Sequence, residues 1–184
     1  MIASVQPLTD PMIAKYREQY AALGAQLPGA EHDWVTSLRN QAMTVAARTG
    51  LPTRRVETWK YTDLRPIHRA QFSAVVASEV RASMLDPHLI GDAFVAVFVD
   101  GRFAPALSQL EGLPDGVEFS SLADALRLGD KELLEGLNEV VELEQPGYAA
   151  LNTVLMQEGG VCRIADNVSV ENPVQFIFVS TENS

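Results

Sequence analysis

The sequence predicts an α+β fold, and three observations predict it. Two stretches with apolar residues at helical spacing lie before residue 51, each closed by a glycine, Gly24 and Gly50. A β-branched and aromatic run, Phe94–Val99, is followed by Asp100-Gly101, the pattern of a tight β-hairpin. From residue 161 onward, short apolar runs alternate with Gly, Asn and Pro, so a sheet there is built in small steps. A parallel β-helix is one architecture with that pattern.

The elements follow in chain order. Asp10 can cap a first helix and Pro11 suits its first position; Ile13, Tyr16, Tyr20 and Leu23 then form its apolar stripe. After a loop containing Pro28-Gly29, Asp33 is the expected cap of a second helix. Its stripe is Val35, Leu38, Ala42, Val45 and Ala46, and the two helices are expected to form a hairpin. Pro52 blocks its continuation. If residues 51–64 are extended, Glu57, Trp59 and Tyr61 share one face, with Thr58, Lys60 and Thr62 opposite. One helical turn is expected over 64–70. Residues 72–80 fit a strand or a helix, and Asp86-Pro87 begins a turn.

The hairpin continues into Arg102-Phe103. A turn at 113–116 precedes a short strand at Val117 and Phe119. Ser120 or Ser121 then caps a helix ending at Gly129, and Asp130 caps another short one carrying Leu133, Leu134 and Leu137. The acidic stretch 139–144 and the turn Gln145-Pro146-Gly147 mark the expected boundary between an N-terminal helical and α+β domain, 1–146, and a second domain, 147–184. That second part starts with a helix over 148–157, stopped by Gly159-Gly160, and goes on as strands around 161–165 and Val174–Val179.

The net charge of −10, from 14 basic and 24 acidic residues, argues against a nucleic-acid partner. Charge is also segregated: residues 48–69 hold six Lys/Arg and two Asp/Glu, whereas residues 111–158 hold eleven acidic residues and two basic ones. The basic segment reads either as a strip folded against acidic neighbours or as a patch for a partner protein. A lone cysteine, Cys162, allows no internal disulfide. Residues 1–7 lack the features of a signal peptide and the longest apolar run is too short for a bilayer, so a cytoplasmic protein is expected.

Candidate site residues are few. Trp59 and Tyr61 serve as core anchors or as a docking surface. Glu57 with Arg54 or Arg55 reads as an ion pair fixing the loop, or else as a catalytic pair. Cys162, beside Val161 and Ile164, reads as a small buried hydrophobe, with a thiolate role the sharper alternative. His32, His68 and His88 lack ligand spacing, no Gly-rich phosphate loop is present, and no catalytic residue or metal site is expected.

The segment Leu51-Pro52-Thr53-Arg54-Arg55-Val56-Glu57-Thr58-Trp59-Lys60-Tyr61-Thr62-Asp63-Leu64 resembles the N-terminal signature of the SufD family. Two later stretches agree in order: Phe98-Val99-Asp100-Gly101-Arg102-Phe103 with Leu107-Ser108, and Leu151-Asn152 through Gly159-Gly160 to Val170-Glu171-Asn172-Pro173-Val174. The paralogue SufB shares the later part, but the Trp-Lys-Tyr-Thr-Asp-Leu block is more similar to SufD. The resemblance implies a right-handed parallel β-helix flanked by helices, of which this chain holds only the incomplete first rungs. It implies a non-catalytic scaffold subunit of SUF iron–sulfur cluster assembly, partnered by SufB and the ATPase SufC. The cluster belongs to the full complex, and this stretch of chain is expected to bind no cofactor. Family members are more than twice as long, and the partner-binding surfaces lie in the part beyond this chain. Exposed rung edges predict self-association through Val174–Val179, or poor order there. The Arg54, Arg55, Glu57, Trp59, Lys60 and Tyr61 block is the expected docking or structural signature. A second reading is a small α+β ligand-binding domain or enzyme, with a pocket around Arg54, Arg55 and Trp59.

Overall fold

A computed structural model describes residues 11–70, 79–129, 131, 136–137 and 148–181. The expectations for Asp10, for residues 72–78, for the Asp130 helix and for the boundary at Pro146 lie wholly or mainly outside the described residues. The chain is α+β, with short helices and small sheets. It divides into two compact units, each made of two chain segments: residues 1–72 with 126–157, and residues 73–125 with 158–184.

The first unit is helical. α1 (Pro11–Leu23) stops at Gly24 as its sequence predicts. α2 (Asp33–Thr49) starts one residue earlier than expected: Asp33 is its first helical residue, and His32 holds the extended cap position without a side-chain cap bond. Asp33 still lies in the first turn, where its charge suits the helix dipole. α2 packs more extensively on α5 (Ala149–Leu155) than on α1, so the expected α1–α2 hairpin is the lesser contact. Two apolar clusters make this core. One joins Ile13, Ala46 and Leu51 to Ala150 and Leu151; the other joins Ala42 and Met43 to Val154. Each fully buried aliphatic side chain contributes about 1.5–3 kcal/mol.

His32 and Gly29 shape the loop before α2. His32 Nε2–H donates to Arg127 O at 2.8 Å, near the end of α4 (Leu122–Leu128). Gly29 has φ +76, and a Cβ there would lie 2.8 Å from Leu126 O, so only glycine fits that close approach.

The second unit is built on sheets. β1 (Phe94–Val99) and β2 (Arg102–Phe103) form the predicted hairpin, with Asp100 at φ 48 and Gly101 at φ 79. The Asp100 carboxylate accepts Thr181 N–H at 2.7 Å and Thr181 Oγ1–H at 2.8 Å, tying the turn to the exit of β5 (Val174–Val179). β5 pairs parallel with β1 over six residues, giving the order β2-β1-β5. Ile177 and Val179 pack on one face with Val95, Val97 and Leu85. Phe176 and Phe178 stack on Phe98, at centroid distances of 6.4 and 5.2 Å. β3 (Val117–Ser121) leads into α4, and Ser121 Oγ accepts Asp124 N–H at 3.0 Å, the predicted cap.

The strands after residue 160 differ from the expected succession of rungs. β4 (Gly160–Ile164) pairs antiparallel with β3, while β5 joins the other sheet. Among the described residues each late strand therefore takes an earlier strand as its partner, β4 antiparallel and β5 parallel. Alternation fixes which side chains share a face; it does not select the pairing strand. Val174–Val179 is a formed strand that pairs with β1 and lies at the edge of its sheet. No helix among the described residues is long and apolar enough to cross a membrane.

Candidate partner-docking loop

Residues 51–64 are not extended. Val56 N–H donates to Thr53 O, Trp59 N–H to Val56 O, Lys60 N–H to Glu57 O and Thr62 N–H to Trp59 O, a run of tight turns with one 3₁₀ turn at Glu57–Trp59. Turns of this kind satisfy the backbone locally, which an unpaired strand would not. The common face that an extended segment would give Glu57, Trp59 and Tyr61 is therefore absent.

Buried residues pin both ends of the loop: Leu51 and Pro52 before it, and Leu64 after it, where the short helix α3 (Arg65–Arg69) follows. Leu51 belongs to the cluster formed with Ile13, Ala46, Ala150 and Leu151. Trp59 is half-buried and meets Tyr148 edge-on, with centroids 5.9 Å apart and planes at 66°. Burial, with a smaller contribution from Tyr16, raises the Tyr148 hydroxyl above its ordinary pKa. Trp59 is thus the structural anchor. Tyr61 is not, for it stands 89% exposed.

The charges divide into two groups. Glu57 pairs with Lys60 at 3.7 Å, not with Arg54 or Arg55 as expected, because the 3₁₀ turn puts residues three apart on one side. Asp63 takes a bidentate contact from Arg65, with Nε–H to Oδ1 at 2.9 Å and Nη2–H to Oδ2 at 2.7 Å. Those hydrogen bonds hold the Asp63 carboxyl well below the usual carboxylate range, and Arg54 adds a smaller pull. The same contact raises Arg65. Arg54 Nε–H donates to Lys60 O at 3.3 Å, which braces the turn. Neither Arg54 nor Arg55 forms an ion pair among the described residues. The Lys60 ammonium lies 5.5 Å from the Tyr61 ring centroid.

Both carboxylates of the loop are therefore committed to cations, and what remains outward is a pair of guanidinium groups and a phenol ring. That set offers charge and an aromatic face, with no nucleophile beside a base in the loop. A cleft of about 510 Å³ lies in the other unit, lined by Val80, Met84, Leu85, His88 and β5, and Arg54, Arg55 and Trp59 take no part in it. Cys162, expected to behave as a small hydrophobe, is exposed on β4, a strand in which Val161 alone is partly buried. His88 contributes its carbonyl to Gln175 Nε2–H at 2.7 Å, and no group of three or more metal-ligating side chains occurs among the described residues. Tyr148, the partner of Trp59, was not singled out by sequence, since nothing local links positions so far apart.

Comparison with known proteins gives two kinds of match. The family profile described as the SufBD protein N-terminal region matches residues 11–176. The iron-sulfur cluster assembly protein SufD of Escherichia coli (strain K12) is 40% identical over 86 residues, covering 39% of this chain and 20% of that protein. An iron-sulfur cluster assembly SufBD family protein of Synechocystis is 23% identical over 158 residues, covering 85% of this chain and 35% of that protein. The chain thus spans about a third or less of the length of these relatives.

Proposed function

The chain belongs to the SufBD family, and on that premise we propose that it is the N-terminal part of a SufD-type, non-catalytic scaffold in iron–sulfur cluster assembly. The match over residues 11–176, most of the chain, carries this reading. The names of both relatives place those proteins in cluster assembly, which supports the same role here. The site supports it too: a preorganised loop with its carboxylates already paired suits the presentation of surface, not turnover.

In this reading the full protein works in the cytoplasm with SufB and the ATPase SufC, and the iron–sulfur cluster is the cargo of that complex, not a resident group of this stretch of chain. In the same reading residues 147–184 open the family's right-handed parallel β-helix. The parallel β1–β5 pair supports that, as does the outward placement of Phe176 and Phe178, 42% and 72% exposed, which a following layer would cover.

The test is co-expression of the full-length protein with SufB and SufC, followed by affinity purification and anaerobic cluster reconstitution. The expected result is a stable ternary complex that acquires iron–sulfur absorbance. A full-length protein that purifies alone, or turns over a small metabolite without partners, would remove the scaffold reading.

A further inference from the structure

We propose that the turns at residues 53–61 dock an acidic segment of a partner protein, through Arg54, Arg55 and Tyr61. This deepens the scaffold reading and rests on it for the setting in which docking occurs. Three observations lead to it.

The first is order without burial. The loop is fixed at both ends by Leu51, Pro52 and Leu64, and in its middle by Trp59 on Tyr148. Turn hydrogen bonds hold the backbone that carries its outer residues, which lowers the ordering entropy lost on binding. The second is residual charge. Lys60 and Arg65 are neutralised by Glu57 and Asp63, which leaves Arg54 and Arg55 with donors unused by any carboxylate of the described chain. A guanidinium fork matches a carboxylate in two-point contact. The third is Tyr61, a large ring at 89% exposure beside the Lys60 ammonium. Folding gains almost nothing from so exposed a ring, whereas Tyr and Arg are the residues that concentrate binding energy at interfaces.

The remaining charge selects among occupants. Polyanionic nucleic acid meets a chain of net charge −10, so long-range repulsion opposes it. A short acidic protein segment needs only Arg54 and Arg55, the two basic side chains of the loop that make no ion pair among the described residues. Trp59 acts as a positioning residue, and the contacts are made by Arg54, Arg55 and Tyr61.

The test uses the full chain and a fluorescein-labelled peptide of alternating glutamate and leucine, read by anisotropy at low and physiological salt. The expected result is salt-sensitive binding that weakens about tenfold or more in R54E/R55E and several-fold in Y61A, with Tm unchanged. R54E/R55E is expected to bind the corresponding lysine–leucine peptide instead. If the double reversal lowers Tm, Arg55→Gln carries the comparison, since its side chain makes no ion pair among the described residues. Equal peptide binding by wild type and variant would overturn the proposal. So would preferential binding of single-stranded RNA, or occupation of the loop by a second copy of the chain in light scattering. Its failure and that of the scaffold reading are separable: the peptide assay reads the loop alone, and co-purification with SufB and SufC reads the assembly.

Discussion

Arg39, 1% exposed in the middle of α2, donates from Nη2 to Met156 O at 3.0 Å across 117 positions of sequence. The same nitrogen donates to Pro28 O at 2.8 Å. Met156 is the residue that ends α5, so the cation sits against the negative end of that helix. Burial lowers the guanidinium below its ordinary pKa, while Tyr20 and Glu31 oppose that shift. The group nonetheless stays charged at any physiological pH.

Replacing Arg39 with Ala leaves two buried carbonyls without this donor and opens a cavity, at an expected cost of about 3–4 kcal/mol. Arg39→Met keeps most of the volume and loses only the bonds, for about 1–3 kcal/mol. Urea unfolding of both variants checks the order. Equal stability for Ala and wild type would show that the Arg39 contacts contribute nothing.

Gly29 and Gly101 separate steric exclusion from backbone strain. Both have positive φ, at +76 and +79, but a Cβ at Gly29 strikes the Leu126 carbonyl while one at Gly101 meets open space. Gly101→Ala should cost about 1–2 kcal/mol from the left-handed backbone alone. Gly29→Ala should cost more than that, because the helix end must also shift. Thermal melts of the pair measure the difference.

The aromatic stack in the second unit has one buried member and one exposed one. Phe98 is 1% exposed and Phe178 is 72% exposed. Phe98→Ala is expected to lose about 3–5 kcal/mol. Phe178→Ser should lose less than about 1 kcal/mol, because most of its area is already in water, and should reduce dye binding to exposed apolar surface. Chemical denaturation and ANS fluorescence together read both effects.

The Asp63–Arg65 contact predicts an acid-side loss. The folded-state pKa of Asp63 is depressed, so its contribution is present above the unfolded carboxylate pKa, about 3.9, and fades as pH falls towards the folded value. Wild type should therefore lose more Tm between neutral pH and about pH 3 than Asp63→Asn does. The difference is small, since the pair lies at the surface and is screened. Identical pH profiles for the two proteins would contradict the assigned direction.

Much of the local structure was legible in the sequence. Gly24, Gly50, Asp100-Gly101, Ser121 and Gly129 each mark a start, stop or turn where the chain makes one, since caps and turns depend on neighbours a few residues away. Period alone placed Val35, Ala42 and Ala46 on the buried face of α2. It left Arg39 unnoticed, because a charged residue on that face is read as solvated until its carbonyl partners are known. The conformation of residues 51–64 stayed open for a related reason: with no strand beside it, the segment satisfies its own backbone through turns.

The sequence by itself determined the α+β class, the order of the elements and the basic-aromatic block from Arg54 to Tyr61. Only the tertiary structure decided that Trp59 turns inward to Tyr148 while Tyr61 stays in water, that Arg39 reaches Met156, and that β5 lies beside β1 and not β4. The division has one physical cause. Propensity, capping and turn chemistry act over a few residues, whereas the choice between partners dozens of positions apart is made by which buried surfaces pack together.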